Sequence, residues 1–127
     1  MNRSRGRSPR GGSRRQSDDL RHIAAALMDR KPVDPVVLDL RGLSEATDYF
    51  VIASGTSDAH VRGMAEHLID EVAPHHAEGL AQGRWVLLDY VDVVVHLFHP
   101  ELREFYQLER LWADAPALAP GESGLVG

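Results

Sequence analysis

The sequence predicts an α/β (α+β) domain in which helices flank a mixed β-sheet, with elements in the order α-β-β-α-β-β-α. Three observations carry that expectation. Short apolar runs suited to strands are interspersed with longer runs whose apolar residues recur every three to four positions. Proline and glycine punctuate the joins. A length of 127 residues, 43% hydrophobic and 26% charged, suits one modest core and leaves little room for a second domain.

Order is expected to begin near Ser17, whose hydroxyl can cap a helix while Asp18 and Asp19 favour its first turn. Leu20, Ile23, Ala24 and Leu27 then share one face, and Pro32 and Pro35 end the run, giving a helix over about 18–30. Val36 to Leu40 reads as a short strand and Arg41-Gly42 as a turn. Asp48 to Ser54 is apolar on both faces near its middle, which suits a central strand. After Gly55-Thr56-Ser57-Asp58 the period changes: Val61, Met64, Ala65, Leu68, Ile69 and Val72 mark one helical face, opposed by Arg62, Glu66, Asp70 and Glu71, as far as Pro74. Trp85 to Asp89 and Val93 to Phe98 are the last two strands, joined by a tight turn at Tyr90-Val91-Asp92. Val93, Val95, Leu97 and His99 fall on one side of the last strand, and Val94, His96 and Phe98 on the other. With apolar residues on both sides, a face without helices is either adhesive or covered by the C-terminal segment folding back. Pro100 can open that segment as a helix, with Leu102, Phe105, Leu108 and Leu111 or Trp112 at helical spacing.

The ends read differently from the body. Residues 1–17 hold six arginines and no acid, so the net charge of −5 leaves −11 for the remainder. An Arg, Ser and Gly composition cannot offset its own ordering entropy, so 1–17 is expected to be a disordered tail. It reads as a solvated leader, with weak contact to RNA phosphates as the functional alternative. Residues 114–127 read as a disordered end, leaving 18–113 as the folded domain. No stretch approaches the roughly 20 apolar residues of a membrane span, and no apolar signal core follows the basic N-terminus, so the cytoplasm is the expected location. Without cysteine there are no disulfides, thiolate nucleophiles or Cys-based zinc sites.

Catalysis finds little support in the residues. Gly55-Thr56-Ser57 at a helix start could cradle a phosphate, and Asp89 and Asp92 could hold magnesium for nucleotidyl transfer. Paired metal-binding acids should alternate along one strand, however, and these two are three apart across a turn. Freedom of the backbone explains Gly55 as well, and an N-cap role explains Ser57 or Asp58. The seven histidines include His60 and His67 on one helix and His96 and His99 at a strand end, but neither pair has convincing ligand spacing. No nucleophile elbow surrounds Ser44, Ser54 or Ser57. A body of charge −11 also suits a basic protein better than a nucleic acid.

Two segments, Asp48 to Arg62 (DYFVIASGTSDAHVR) and Trp85 to Trp112 (WVLLDYVDVVVHLFHPELREFYQLERLW), resemble the ribosomal silencing factor family, also called RsfS or Iojap-like. The resemblance spans about 18–113 with spacing intact, and the two blocks together are highly specific. It implies a nucleotidyltransferase-like fold lacking the catalytic acids, and a non-enzymatic protein that needs no cofactor or metal. The implied partner is the large ribosomal subunit, chiefly the fourteenth protein of its series, with docking that sterically blocks the small subunit and represses translation under nutrient limitation. Self-association of the free protein is implied as well. A nucleotide-binding, nucleotidyltransferase-like enzyme using Gly55 to Asp58 is the alternative.

Carried onto this chain, the resemblance puts Trp85, Leu87, Leu88, Asp89 and Tyr90 at the centre of the docking face, with Asp92, Phe105, Tyr106 and Trp112 beside it. Trp85, Leu87 and Tyr90 would supply area, Asp89 and Asp92 would pair with Lys or Arg, and His99, Arg103 and Glu109 would fix the C-terminal segment. Strand alternation allows only one of Leu87 and Leu88 to face a partner, so the other is core. Many family members carry Gly where this chain has Val91, a β-branched residue disfavoured at positive φ.

Overall fold

The computed structural model describes residues 9–102 and 116–118, with side-chain surroundings from residue 19 onward. It contains helix α1 (Pro9–Met28), strands β1 (Val33–Asp39) and β2 (Tyr49–Ser54), helix α2 (Asp58–Glu71), and strands β3 (His76–Glu78), β4 (Trp85–Asp89), β5 (Val93–Phe98) and β6 (Ala117–Leu118). The strands form one sheet in the order β3-β4-β5-β2-β1-β6. The sheet is mixed, since β2 and β5 pair in parallel while the other neighbours are antiparallel.

β2 and β5 lie at the centre because their sequences are apolar on both sides. Val51, Ile52 and Ala53 of β2 and Val95, Leu97 and Phe98 of β5 are fully buried. One face packs beneath the helices: Leu20, Ile23 and Leu27 of α1 and Val61, Met64 and Leu68 of α2 meet Val51, Val86, Leu88, Val95 and Leu97. Burying each such aliphatic side chain contributes about 1.5–3 kcal/mol before entropy is counted. The opposite face holds a smaller cluster of Leu38, Leu40, Ile52 and Phe98, against which Val36, Phe50, Trp85 and Leu102 pack.

Local chemistry sets the element ends. Ser57 caps α2, its hydroxyl accepting from the His60 amide at 3.1 Å, and Asp58 lies in the first turn where the helix dipole favours it. Gly55 is needed for space: a Cβ there would stand 2.8 Å from the Val61 side chain. This corrects the expectation that it supplies backbone freedom. β1 starts at Val33 and absorbs Pro35 at a bulge, since Val33 pairs with Ser54 but Val36 pairs with Ile52. A proline without an amide proton fits where the ladder is already broken.

Both predicted disordered ends are partly ordered. α1 begins at Pro9, so 9–17 belong to the helix and Ser17 is not its cap. Extending a helix already anchored by Leu20, Ile23 and Leu27 adds hydrogen bonds without a new nucleation cost, and proline is at home in a first turn. At the other end Ala117–Leu118 pair antiparallel with β1, and the Asp39 amide donates to the Pro116 carbonyl at 2.9 Å. The short strand β3, not among the strands expected from the sequence, pairs with β4. The final helix is seen only at residues 100–102, where the Leu102 amide donates to the His99 carbonyl. No described helix is long and apolar enough to cross a membrane.

Leu88 is fully buried beneath the helices, whereas Leu87 is only half-buried on the other face. Leu88→Ala is therefore expected to lower the unfolding free energy by about 2–5 kcal/mol in urea denaturation, and Leu87→Ala by clearly less. The reverse order would overturn the strand phase.

Candidate docking face

The alternation of β4 divides the predicted site residues. Trp85, Leu87 and Asp89 point away from the helices, while Val86 and Leu88 point into the core beneath them. Leu88 is thus excluded from a docking surface, contrary to its expected place there. Tyr90, partly exposed, turns to the helix side as well: its ring packs against that core and its hydroxyl donates to the Val72 carbonyl at 2.9 Å. Burial first, and then the charge of Asp19, push the Tyr90 phenol up to about 12. Asp92 lies in the turn after β4, and Phe105, Tyr106, Trp112, Arg103 and Glu109 lie outside the described residues.

Cross-strand register turns the outward residues into a grid. Asp89 stands opposite Val94 and Val94 beside Phe50; Leu87 stands opposite His96 and His96 beside Ile52; Trp85 stands opposite Phe98. Between this grid and the loop after β1 lies a hollow of about 420 Å³. Phe50, Leu87, Val94 and His96 form its sheet side, Ser44, Ala46 and Thr47 its loop side, and Asp89 and Val91 stand at the turn. The sequence had not brought Phe50, Val94, His96 or the loop into the site. Only the placing of Val94 and His96 on one side of their strand hinted at it.

An aromatic cluster stiffens the grid. The Trp85 indole N–H donates to His96 Nδ1 at 3.2 Å, and its ring stacks on Phe98 with centroids 5.2 Å apart. Phe50 meets the His96 ring edge-on at 4.9 Å. Because Nδ1 accepts, the neutral imidazole carries its proton on Nε2. His96 is 5% exposed and its Nε2 has no hydrogen-bond partner. Burial pulls its pKa down to about 4.

The turn that closes the face is unusual. Val91 adopts φ 75°, and the Asp92 amide donates to the Tyr90 carbonyl at 2.9 Å, which makes a γ-turn of positive φ. The Val91 amide donates to Asp89 Oδ1 at 2.7 Å, so that carboxylate holds the turn as well as facing the hollow. The Asp92 carbonyl accepts from both the Asp48 and Tyr49 amides, at 2.9 and 3.0 Å, tying the loop after β1 to the turn. Three aspartates, 48, 89 and 92, therefore gather at this end, and burial together with the charge of Asp92 raises the Asp48 pKa. The nearby Arg41 is committed to a two-pronged pairing with Asp39, at 2.9 and 2.7 Å.

The elements of a nucleotide site do not meet. Register places Ser54, and so Gly55 to Asp58, at the Trp85–Phe98 end of the sheet, whereas Asp89 and Asp92 lie at the other end. Four residue steps along the strand, about 13 Å, separate the two ends. At the helix start the Gly55 amide donates to the Phe98 carbonyl, the Thr56 amide to His60 Nδ1, and the His60 amide to Ser57, so these donors are already engaged. His60 also reaches the Arg30 carbonyl through Nε2 at 2.8 Å, which gives it a structural place. Among the described residues no group of three His, Asp or Glu is placed to hold a metal ion.

Comparison with known proteins places this geometry in context. The family described as ribosomal silencing factor during starvation matches residues 13–124. The chain is 42% identical over 106 residues to the ribosomal silencing factor RsfS of Bacillus subtilis, covering 80% of this chain and 90% of that protein. It is 33% identical over 103 residues to mouse mitochondrial assembly of ribosomal large subunit protein 1, covering 74% of this chain and 45% of that one. A crystal structure of a Chromobacterium violaceum protein superposes with a TM-score of 0.73 at 30% identity, covering 87% of this chain and 97% of that one.

Two outcomes test the local geometry. Val91→Gly removes the steric cost of a β-branched residue at positive φ and should raise stability by about 1 kcal/mol in urea denaturation; a loss would contradict the turn. For His96 the unfolded chain takes up a proton near its ordinary 6.5, and the fold does so only near 4. Between those values the unfolded state binds more protons, so stability is full above about 6.5 and falls as pH falls toward 4, by about 3 kcal/mol. Denaturation curves across that window should show this slope, and His96→Gln should flatten it.

Proposed function

The chain belongs to the ribosomal silencing factor family, and on that premise we propose that it represses translation by binding the large ribosomal subunit through the face of its sheet opposite α1 and α2. The docking partner in this reading is the fourteenth protein of the large-subunit series. The docked body occupies space that the small subunit needs, so the two subunits do not join, and protein synthesis falls when nutrients are short. No covalent step is required, and the mechanism is steric.

The observation that carries the reading is the juxtaposition of Trp85, Leu87 and Asp89 on the face opposite α1 and α2, around an apolar hollow. Half-buried Trp85 and Leu87, with Phe50 and Val94 beside them, supply the apolar area that a desolvated interface centre needs. Asp89, with Asp48 and Asp92 nearby, suits Lys or Arg of a basic ribosomal protein, and such complementarity speeds encounter and fixes register. Phe105, Tyr106 and Trp112 extend the same face in this proposal. The relatives' names point the same way: one is a ribosomal silencing factor, and the mouse protein is named for assembly of the mitochondrial large subunit. When unoccupied, the face mediates self-association of the free protein, which then competes with ribosome binding.

Co-sedimentation with isolated large subunits, scored with subunit joining in sucrose gradients, tests the proposal. Wild type should bind and prevent joining. Trp85→Ala should weaken binding by about 2 kcal/mol, as loss of an aromatic anchor does. Asp89→Asn keeps the acceptor for the Val91 amide but drops the charge, and should weaken binding most at low salt. Wild type that neither binds nor blocks joining would sink the reading.

A further inference from the structure

We propose that His96 is the specificity-determining hydrogen-bond donor of the docking face, and that its Nε2–H receives an uncharged oxygen acceptor, a hydroxyl or main-chain carbonyl, from the docked protein. The inference rests on the proposed docking reading and names the chemistry of what enters the hollow. His96 stands at the centre of the outward grid, opposite Leu87 and beside Ile52, and its ring lines the hollow. It is 95% buried, since only 5% of its surface is exposed. Nδ1 is occupied by the Trp85 indole at 3.2 Å, which leaves the proton on Nε2, and that atom has no partner. Native structures leave few buried donors unpaired, because such a group has lost water and gained nothing in return. A surface built to be covered is where this cost can be recovered, when the covering protein brings the missing acceptor.

The surroundings decide which acceptor fits. A lysine or arginine offers only donors and cannot satisfy an N–H. A carboxylate would have to leave water for a pocket walled by Phe50, Leu87 and Val94 and would sit near Asp89, which repels it. A phosphate of RNA meets the same acids with more charge. A neutral oxygen on a protein segment has neither difficulty, and a basic residue next to it on that segment would meet Asp89. The Nε2 atom is closed off in the free protein, so the side chains beside it give way during docking, an adjustment common at interfaces.

Two substitutions separate this role from packing. His96→Gln can place an amide N–H near the Nε2 position, whereas His96→Asn keeps an acceptor near Nδ1 for Trp85 and loses the donor. With isolated large subunits, the dissociation constant of His96→Asn should rise about tenfold, and that of His96→Gln should stay within about threefold of wild type. Thermal melting ensures that folded fractions are compared. Equal binding by wild type and His96→Asn overturns the inference while leaving the docking reading intact, and equal weakening of both variants reduces His96 to packing. Wild type that does not bind large subunits overturns both. Should the variants fail to fold, nitrogen NMR of the wild-type imidazole decides. The Nε2 proton should be present in the free protein and move downfield when the purified fourteenth-series ribosomal protein is added. A proton on Nδ1, an unmoved Nε2 signal, or a shift produced instead by naked large-subunit RNA overturns the proposal.

Discussion

The parallel pairing of β2 with β5 is the constraint on which the rest of the molecule depends. A parallel neighbour cannot be reached by a tight turn, so the chain must leave the end of β2, cross the sheet and return to its start. Here the crossing consists of α2 and the β3–β4 hairpin. It places α2 on the same face as α1, buries Val51, Ala53, Val95 and Leu97 beneath both, and leaves the other face without a helix from the crossing. That both long helices share one face of the sheet therefore follows from the connection. Its registers follow as well: with Phe50 beside Val94 and Ile52 beside His96, the antiparallel return of β4 brings Leu87 and Asp89 into line.

The same pairing brings the loop after β1 and the turn after β4 to one end of the sheet. There the Asp92 carbonyl takes the amides of Asp48 and Tyr49, and Asp89 takes the amide of Val91. The hollow is the space left between this tied corner and the strands. Its acidic character has the same origin, because three of the residues that make or border the ties are aspartates. Arg41 answers only part of this charge: from nearby it acts to lower the Asp48 pKa, which burial and Asp92 raise, but its guanidinium is paired with Asp39. The excess negative charge read from the composition thus has, in part, a definite address.

What the sequence revealed and what it hid divide along physical lines. Alternation in WVLLD is local, so it showed that Leu87 and Leu88 must part company; which of them is core depends on the side that receives the helices, which is a tertiary matter. Tyr90 entered the site through the family resemblance, whereas the alternation of Val86 and Leu88 runs on through it and carries its hydroxyl to the Val72 carbonyl. The strand signal of β2 was strong because both its faces are buried, and the α2 cap was legible because Ser57 precedes a clear period. β6 was hidden because two residues in a Pro- and Ala-rich stretch carry no period of their own and gain strand form only from the edge of β1. The start of α1 was hidden for a related reason. Nothing apolar marks 9–17 as helix, and the helical backbone there extends from residues anchored further on. The loop at 44–47 belongs to the site only through its tie to Asp92, which no spacing in the sequence announces.

Val91 shows how such a corner tolerates an awkward residue. A β-branched side chain at φ 75° is costly on its own, and in a free hairpin the turn would relax. It persists because the neighbours over-determine it: Asp89 fixes the amide before it, the Tyr90 carbonyl accepts from the amide after it, and the Tyr90 amide donates to the Val93 carbonyl. In exchange the corner gains an exposed apolar side chain at the edge of the hollow, which a glycine would not provide. Backbone strain at the turn and the unpaired imidazole at the floor are both departures from what the fold alone would favour. They lie on the same face of the sheet, the one opposite α1 and α2, where a docked surface can make use of both.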